Sequence, residues 1–255
     1  EHQYLMFLKT LYKKMSEQTF ETSMSLGWRT DGRKYLPVTF DFDCIRATPD
    51  EITNDKFQLL ASNITRYLVD ASKQTENGFG VFLTRKPVYE KQYKDQTHYK
   101  TGCHMYIIGL EVTRQWINFH YVELCKIIER FSEQNQIVNP VTDILDKSVS
   151  PIGKNGLLFA GEYKRDNNGR YYIFFRALFA DGVFMDVVNY TELQRFETFE
   201  ENYDMMYSFL TNYVNFQTTQ IVKIDLDDDN ENTNEPGNTH TTTRLNANMK
   251  FDFET

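Results

Sequence analysis

The sequence predicts an α+β fold, and three observations carry that reading. Apolar runs with two-residue alternation occur at 36–43, 79–84, 103–108 and 171–177, the period of half-buried or buried strands. Segments with apolar residues at helical spacing fall between and around them, at 4–15, 48–77, 113–131 and from about residue 200. The 255 residues are 40% hydrophobic, enough to bury a sizeable core.

Residues 4–15 (YLMFLKTLYKKM) place lysines opposite an apolar stripe, an amphipathic packing helix. Leu36-Pro37-Val38-Thr39-Phe40-Asp41-Phe42-Asp43 reads as a buried strand with two acids at its end. Residues i and i+2 of a strand face the same side, so Asp41 and Asp43 project together while Phe40 and Phe42 pack the other face. Two carboxylates so placed repel unless a cation lies between them, and hard divalent ions with oxygen ligands are the natural counter-charge. Asp-x-Asp alone is common, and by itself it is more simply explained as a turn cap beside a solvated acid.

Thr48-Pro49-Asp50-Glu51 has the form of a capping box, so a helix is expected there or slightly later. Phe57, Leu60, Ile64 and Leu68 mark its buried stripe, and Asn77-Gly78 ends it. After the strand at 79–84, the segment Arg85–Lys100 interleaves bases with Tyr89, Tyr93 and Tyr99. It is too polar for a core and reads as a surface segment or lid, able to contact nucleic acid or simply solvated. In Lys100-Thr101-Gly102-Cys103-His104-Met105-Tyr106-Ile107-Ile108, His104 opens a strand after a glycine that permits close backbone approach. Cys103, Met105 and Ile107 take one face, and His104, Tyr106 and Ile108 the other.

The helix at 113–131 buries Ile117, Tyr121, Leu124, Ile128 and Phe131, with His120 and Cys125 at its core or boundary. Asp143 and Asp146 follow in VTDILDKSVS. The Asp166–Gly169 cluster reads as the turn of a hairpin between Leu157–Tyr163 and the strand at 171–177. A last helix has Tyr203, Met206, Tyr207, Leu210 and Val214 as its buried face.

Charge divides the chain. Residues 225–255 carry eight acids and two bases, whereas the remaining body has 28 acids and 26 bases. Residues 1–224 are therefore expected to form the folded domain and 225–255 an acidic, disordered linker. The nearly neutral body is compatible with gripping a phosphate backbone. Three cysteines without paired spacing, and no charged and apolar leader before Tyr4, point to an intracellular, non-secreted protein. No apolar run reaches the length of a membrane span.

Taken together in order, the apolar strand ending in Asp41-x-Asp43, the strand opening with His104, and the later apolar-Asp at Asp146 resemble the three motifs of the archaeo-eukaryotic primase superfamily. The closer resemblance is to the primase domains of the primase-helicases of nucleocytoplasmic large DNA viruses, of the poxvirus and African swine fever virus type. Lys100-x-Gly102-x-His104 followed by YII matches their second motif, and Asp146-Lys147-Ser148-Val149 with the later LLFAGEYK, ending at Lys164, matches the third. Gly102 stands where many members of the wider superfamily have serine, and Asp143 competes with Asp146 for the third motif.

The resemblance implies a catalytic core with an RRM-like antiparallel sheet flanked by helices, plus a small accessory α/β part. It implies a DNA-dependent primase or primase-polymerase working by two-metal nucleotidyl transfer on single-stranded DNA template with nucleoside triphosphates. Asp41, Asp43 and Asp146 would hold two Mg²⁺ or Mn²⁺ ions, and His104, Lys100 and Lys164 would contact the nucleotide's phosphates. A helicase region would follow in a longer chain, in a viral factory of the host cytoplasm or in the nucleus. The alternatives are a two-metal nuclease and a non-catalytic single-stranded nucleic-acid-binding module.

Overall fold

The structure, a computed structural model, describes residues 25–26, 34–149, 151–153, 155, 157–158, 172–190 and 221–226. The expected helices at 4–15 and from residue 200 lie outside these, as do Lys164 and most of the acidic segment. In chain order the elements are β1 (Ser25–Leu26), β2 (Leu36–Arg46), α1 (Asn54–Ala71), β3 (Phe79–Arg85), β4 (Tyr89–Tyr93), β5 (Gln96–Val112), α2 (Arg114–Gln134), α3 (Val141–Ile144), β6 (Leu157–Leu158), β7 (Tyr172–Ala180), β8 (Val183–Asn189) and β9 (Val222–Ile224). Among the described residues no helix is long and apolar enough to cross a membrane.

One seven-stranded sheet runs in the order β2-β5-β3-β7-β8, with β4 antiparallel and β9 parallel to β5. The 17-residue β5 is its spine. β2 occupies one edge of β5 from Tyr99 to Val112, and the other edge is shared by β4, β3 and β9 in turn. The β2–β5 register shifts between Pro37 and Val38, which face Glu111 and Ile107 respectively. Gly109, in the extra length of β5 that this leaves, has φ +94°, a conformation that glycine adopts without a Cβ penalty.

The apolar positions of the strands collect on one face. Phe40, Phe42, Leu83, Cys103, Met105, Ile107, Phe175 and Phe179 form a single core with Phe57, Leu60, Ile64 and Leu68 of α1 and Trp116, Leu124, Ile128 and Phe131 of α2. Each large side chain so buried contributes about 1.5–3 kcal/mol by removal from water. A bulge between Leu83 and Thr84 inserts Phe174, which joins Phe175 in the core and lies against the Phe57 ring.

α1 begins at Asn54, behind Thr53, which makes no side-chain cap bond. The capping-box acid Glu51 instead pairs with Arg85 at 3.0 Å, so a tertiary contact outbids the local signal. Thr113 caps α2 by accepting from the Trp116 N–H (3.2 Å). Its hydroxyl also donates to Asp225 (3.1 Å), which is buried and paired with Lys34 at 2.5 Å. The start of the acidic segment is thereby tied to the helix.

Two expectations are corrected. Arg85–Lys100 is neither a lid nor an open surface loop but the end of β3 and a β-hairpin, β4–β5, turning through Lys94 and Asp95 at φ +51° and +61°. Only the outer part is exposed, while Arg85, Lys86, His98 and Lys100 are buried. Leu157–Leu158 pairs with Ser25–Leu26 rather than with β7, while residues 159–163 and the expected Asp166–Gly169 turn lie outside the described residues. β7 forms its hairpin with β8 across Asp181-Gly182, both at positive φ, the residue pair that a two-residue turn of this hand favours.

Candidate active site

The face opposite the helices carries the polar residues of the same strands. Cross-strand partners share a face, and the register places Asp41 opposite His104 and Asp43 opposite Gly102 on β2 and β5, with His104 in turn opposite Thr84 on β3. Thr39 pairs with Tyr106, which pairs with Phe82. Thr39, Thr84, Lys100, His104, Tyr106 and Phe82 are all buried, whereas the Asp41 and Asp43 side chains keep 17% and 28% exposure. The carboxylates are the open rim of an otherwise closed surface.

Lys100 sits two residues before Gly102, diagonal to Asp43, and its Nζ lies 2.5 Å from Asp43 Oδ2. Burial alone would lower the Lys100 pKa, but the charge and hydrogen bond of Asp43 outweigh it and hold the ammonium above its ordinary value. His104 Nε2 lies 3.5 Å from Asp41 Oδ1, an ion pair only when the imidazole is protonated. On the other side of the ring, Nδ1 is 3.4 Å from the Tyr106 hydroxyl.

The free edge of β2 is closed by the segment after α2. Val138 N–H donates to the Ile45 carbonyl (2.8 Å). The Asn139 amide bonds β2 twice, accepting from the Ile45 N–H (2.9 Å) and donating to the Asp43 carbonyl (2.8 Å). After the short α3, Leu145 bridges to Phe42, and the Asp146 N–H donates to the Asp41 carbonyl (3.0 Å). Asp146 is thus set beside Asp41 by backbone pairing, its carboxylate accepting from the Ser148 N–H (2.8 Å). Asp143 is exposed on α3.

Of the sequence-derived candidates, the structure gathers Asp41, Asp43, Lys100 and His104 on one face and brings the backbone of Asp146 against that of Asp41. Lys164 lies outside the described residues. Asn139 and Tyr106 were not singled out by sequence. Asn139-Pro140 before a helix was the available signal for the first, and strand alternation, which puts Tyr106 on the His104 face, for the second.

As cation ligands, Asp41 and Asp43 are hard oxygen donors on one strand face and fit Mg²⁺ or Mn²⁺. Among the described residues no three His, Cys, Asp or Glu side chains converge closely enough to hold an ion. The fit therefore rests on the Asp41/Asp43 pair, with Asp146 adjacent by its backbone and its carboxylate turned to Ser148.

A family profile described as the C962R protein N-terminal AEP domain matches residues 7–174, well over half of the chain. The chain belongs to the archaeo-eukaryotic primase superfamily. Within that AEP superfamily it falls with the domains of the large nucleocytoplasmic DNA virus primase-helicases. The mixed α/β architecture with its central, mostly antiparallel sheet is consistent with an AEP core. Membership makes this a primase-like nucleotidyl-transfer domain. No curated protein matches the chain in sequence.

Proposed function

We propose that this AEP domain is a DNA-dependent primase that joins nucleotides on a single-stranded DNA template. The observation that carries the reading is the pairing of Asp41 with His104 across β2 and β5, with Asp43 on the same face and Asp146 bonded to the Asp41 backbone. It sets carboxylates and a phosphate-contacting imidazole on one rigid sheet surface, where positioning and charge stabilisation do most of the work of nucleotidyl transfer.

In this reading Asp41, Asp43 and Asp146 hold two Mg²⁺ or Mn²⁺ ions, which when bound supply activation of the attacking hydroxyl and neutralisation of the leaving pyrophosphate. His104 Nε2 donates to a phosphate oxygen of the incoming nucleotide. The Tyr106 hydroxyl, by hydrogen bonding to Nδ1, holds the ring with Nε2 toward the carboxylates. Lys100 adds positive charge beside Asp43, and Lys164 adds it from the third motif. A helicase region of the same longer chain is the proposed partner.

Primer synthesis on single-stranded template with nucleoside triphosphates and Mg²⁺ or Mn²⁺ tests the proposal. The parent protein makes primers, and a folded double variant Asp41→Ala, Asp43→Ala makes none. Equal synthesis by that variant would overturn the assignment. Strand cutting without nucleotides would identify a nuclease instead. Salt-sensitive strand binding that survives loss of both acids, with no synthesis, would identify a binding module.

A further inference from the structure

The row crossing the sheet at Gly102 contains a residue that the three motifs leave unused. β3 ends at Arg85, opposite Cys103, and the next residue, Lys86, donates its N–H to the Gly102 carbonyl (3.4 Å). On the other edge of β5, Gly102 faces Asp43. Asp43, Gly102 and Lys86 therefore stand in one row across three strands, and members of a row share a face.

An independent contact fixes the side of Lys86. Its Nζ lies 4.3 Å from the centroid of the Tyr89 ring, and Tyr89 is the cross-strand partner of Lys100. Along β5 the same-face neighbours of Gly102 are Lys100 and His104. Gly102 is thus a floor without a side chain, ringed by Asp43, Lys100, His104 and Lys86. Strands about 4.8 Å apart put roughly 10 Å between the backbones that bear Asp43 and Lys86, the span that a group hydrogen-bonded to both side chains would bridge. Lys86 and His104 are each 1% exposed, and in such a setting charges act more strongly on one another than in water. Ammonium groups with rotatable donors suit the multiply charged oxygens of phosphate.

We propose that the Gly102 floor seats a phosphate group of the incoming nucleoside triphosphate and that Lys86, from the end of β3, binds it there with His104. This rests on the nucleotidyl-transfer reading of the site. The glycine is then required because any Cβ at 102 would stand on the face where the phosphate lies.

The test compares the parent chain with Lys86→Met, Lys86→Arg and Gly102→Ala. Nucleotide KM and kcat are measured in primer synthesis. Binding of inorganic tripolyphosphate without divalent ions is measured by calorimetry, and melting temperature reports the fold. Lys86→Met is expected to raise the nucleotide KM and the tripolyphosphate Kd about ten- to a hundredfold. Its apolar stem still fills the site, so the melting temperature is not lowered. Lys86→Arg should recover part of the loss, and Gly102→Ala should weaken both ligands without any change of charge.

A folded Lys86→Met protein with KM and Kd within about twofold of the parent overturns the proposal while leaving primer synthesis intact. Should Lys86→Met not fold, unchanged affinities in Gly102→Ala overturn it. A parent chain that binds neither nucleotide nor tripolyphosphate overturns both this proposal and the primase reading.

Discussion

The two faces of the sheet are built from alternate residues of the same strands, yet they hold opposite chemistry. On β2, Phe40 and Phe42 enter the helix-covered core while Asp41 and Asp43 face away. On β5, Cys103 and Met105 are core, and Gly102 and His104 belong to the other face. Burial does not separate the faces, since Phe42 and His104 are each 1% exposed. The polar face must find partners for its buried groups, whereas the apolar face needs only shape. Stability is thus concentrated on one side of a strand and chemistry on the other, one residue apart.

The largest contrast is expected from paired substitutions on β2. Asp41→Ala with Asp43→Ala should reduce primer synthesis by at least about a thousandfold, the scale of several kcal/mol of lost charge stabilisation, with a cooperative melt retained. Phe42→Ala should do the reverse, costing about 3–5 kcal/mol of stability in a denaturant titration and losing activity only as the fold is lost. Equal effects of the two on the melt would erase the distinction between the faces.

Asn139→Ala probes what holds the polar face in place. It removes two hydrogen bonds to β2, each worth about 0.5–1.5 kcal/mol, and frees the segment that sets Asp146 beside Asp41. A fall in kcat of about tenfold, the equivalent of 1.4 kcal/mol, with little change in nucleotide KM is expected in steady-state assays. A pure stability effect would mean that the Asp146 placement does not depend on Asn139.

Lys100→Met is expected to lower activity with only a modest fall in melting temperature, because the Asp43 carboxylate it leaves without its partner is 28% exposed and can be solvated. The smallest effect belongs to Asp225. Its carboxyl is held below the usual range, chiefly by the hydrogen bond from Lys34 and against the opposing effect of burial, so its contribution to stability is present above about pH 3.9 and lost as pH falls through its lower folded value. Lys34 is raised by the same contact, and its share is lost as pH rises through that raised value. The melting-temperature gap between parent and Asp225→Asn should therefore be widest near neutrality and close in acid.

Periodicity made the two faces legible in advance. Alternation through 36–43 and 103–108 assigned Asp41, Asp43 and His104 to one kind of face, and the register now pairs them directly. Helical spacing likewise marked the buried stripe of α1. The misreadings have physical causes. The polar run 85–100 pairs as a hairpin because backbone ladders do not require apolar side chains, and its turn uses Lys94-Asp95 in place of glycine. Asp181-Gly182, which turns β7 into β8, carries a plain two-residue hairpin sequence. The Asn139 clamp and the Lys86 row depend on which strands become neighbours, and single-chain patterning does not encode that.

The break in register at Pro37/Val38, with Gly109 opposite, also makes the fold tolerant in one direction only. The ladder from Val38 to Arg46 keeps its own parity, insulated from whatever happens upstream at Leu36 or downstream at Leu110 and β9. A single residue lost beyond Gly109 would be absorbed as a change of bulge. The same loss between Gly102 and Ile107 would invert the strand, turning His104 into the helices and presenting Cys103 to the carboxylates. Length variation in this spine is therefore expected after the bulge and not before it.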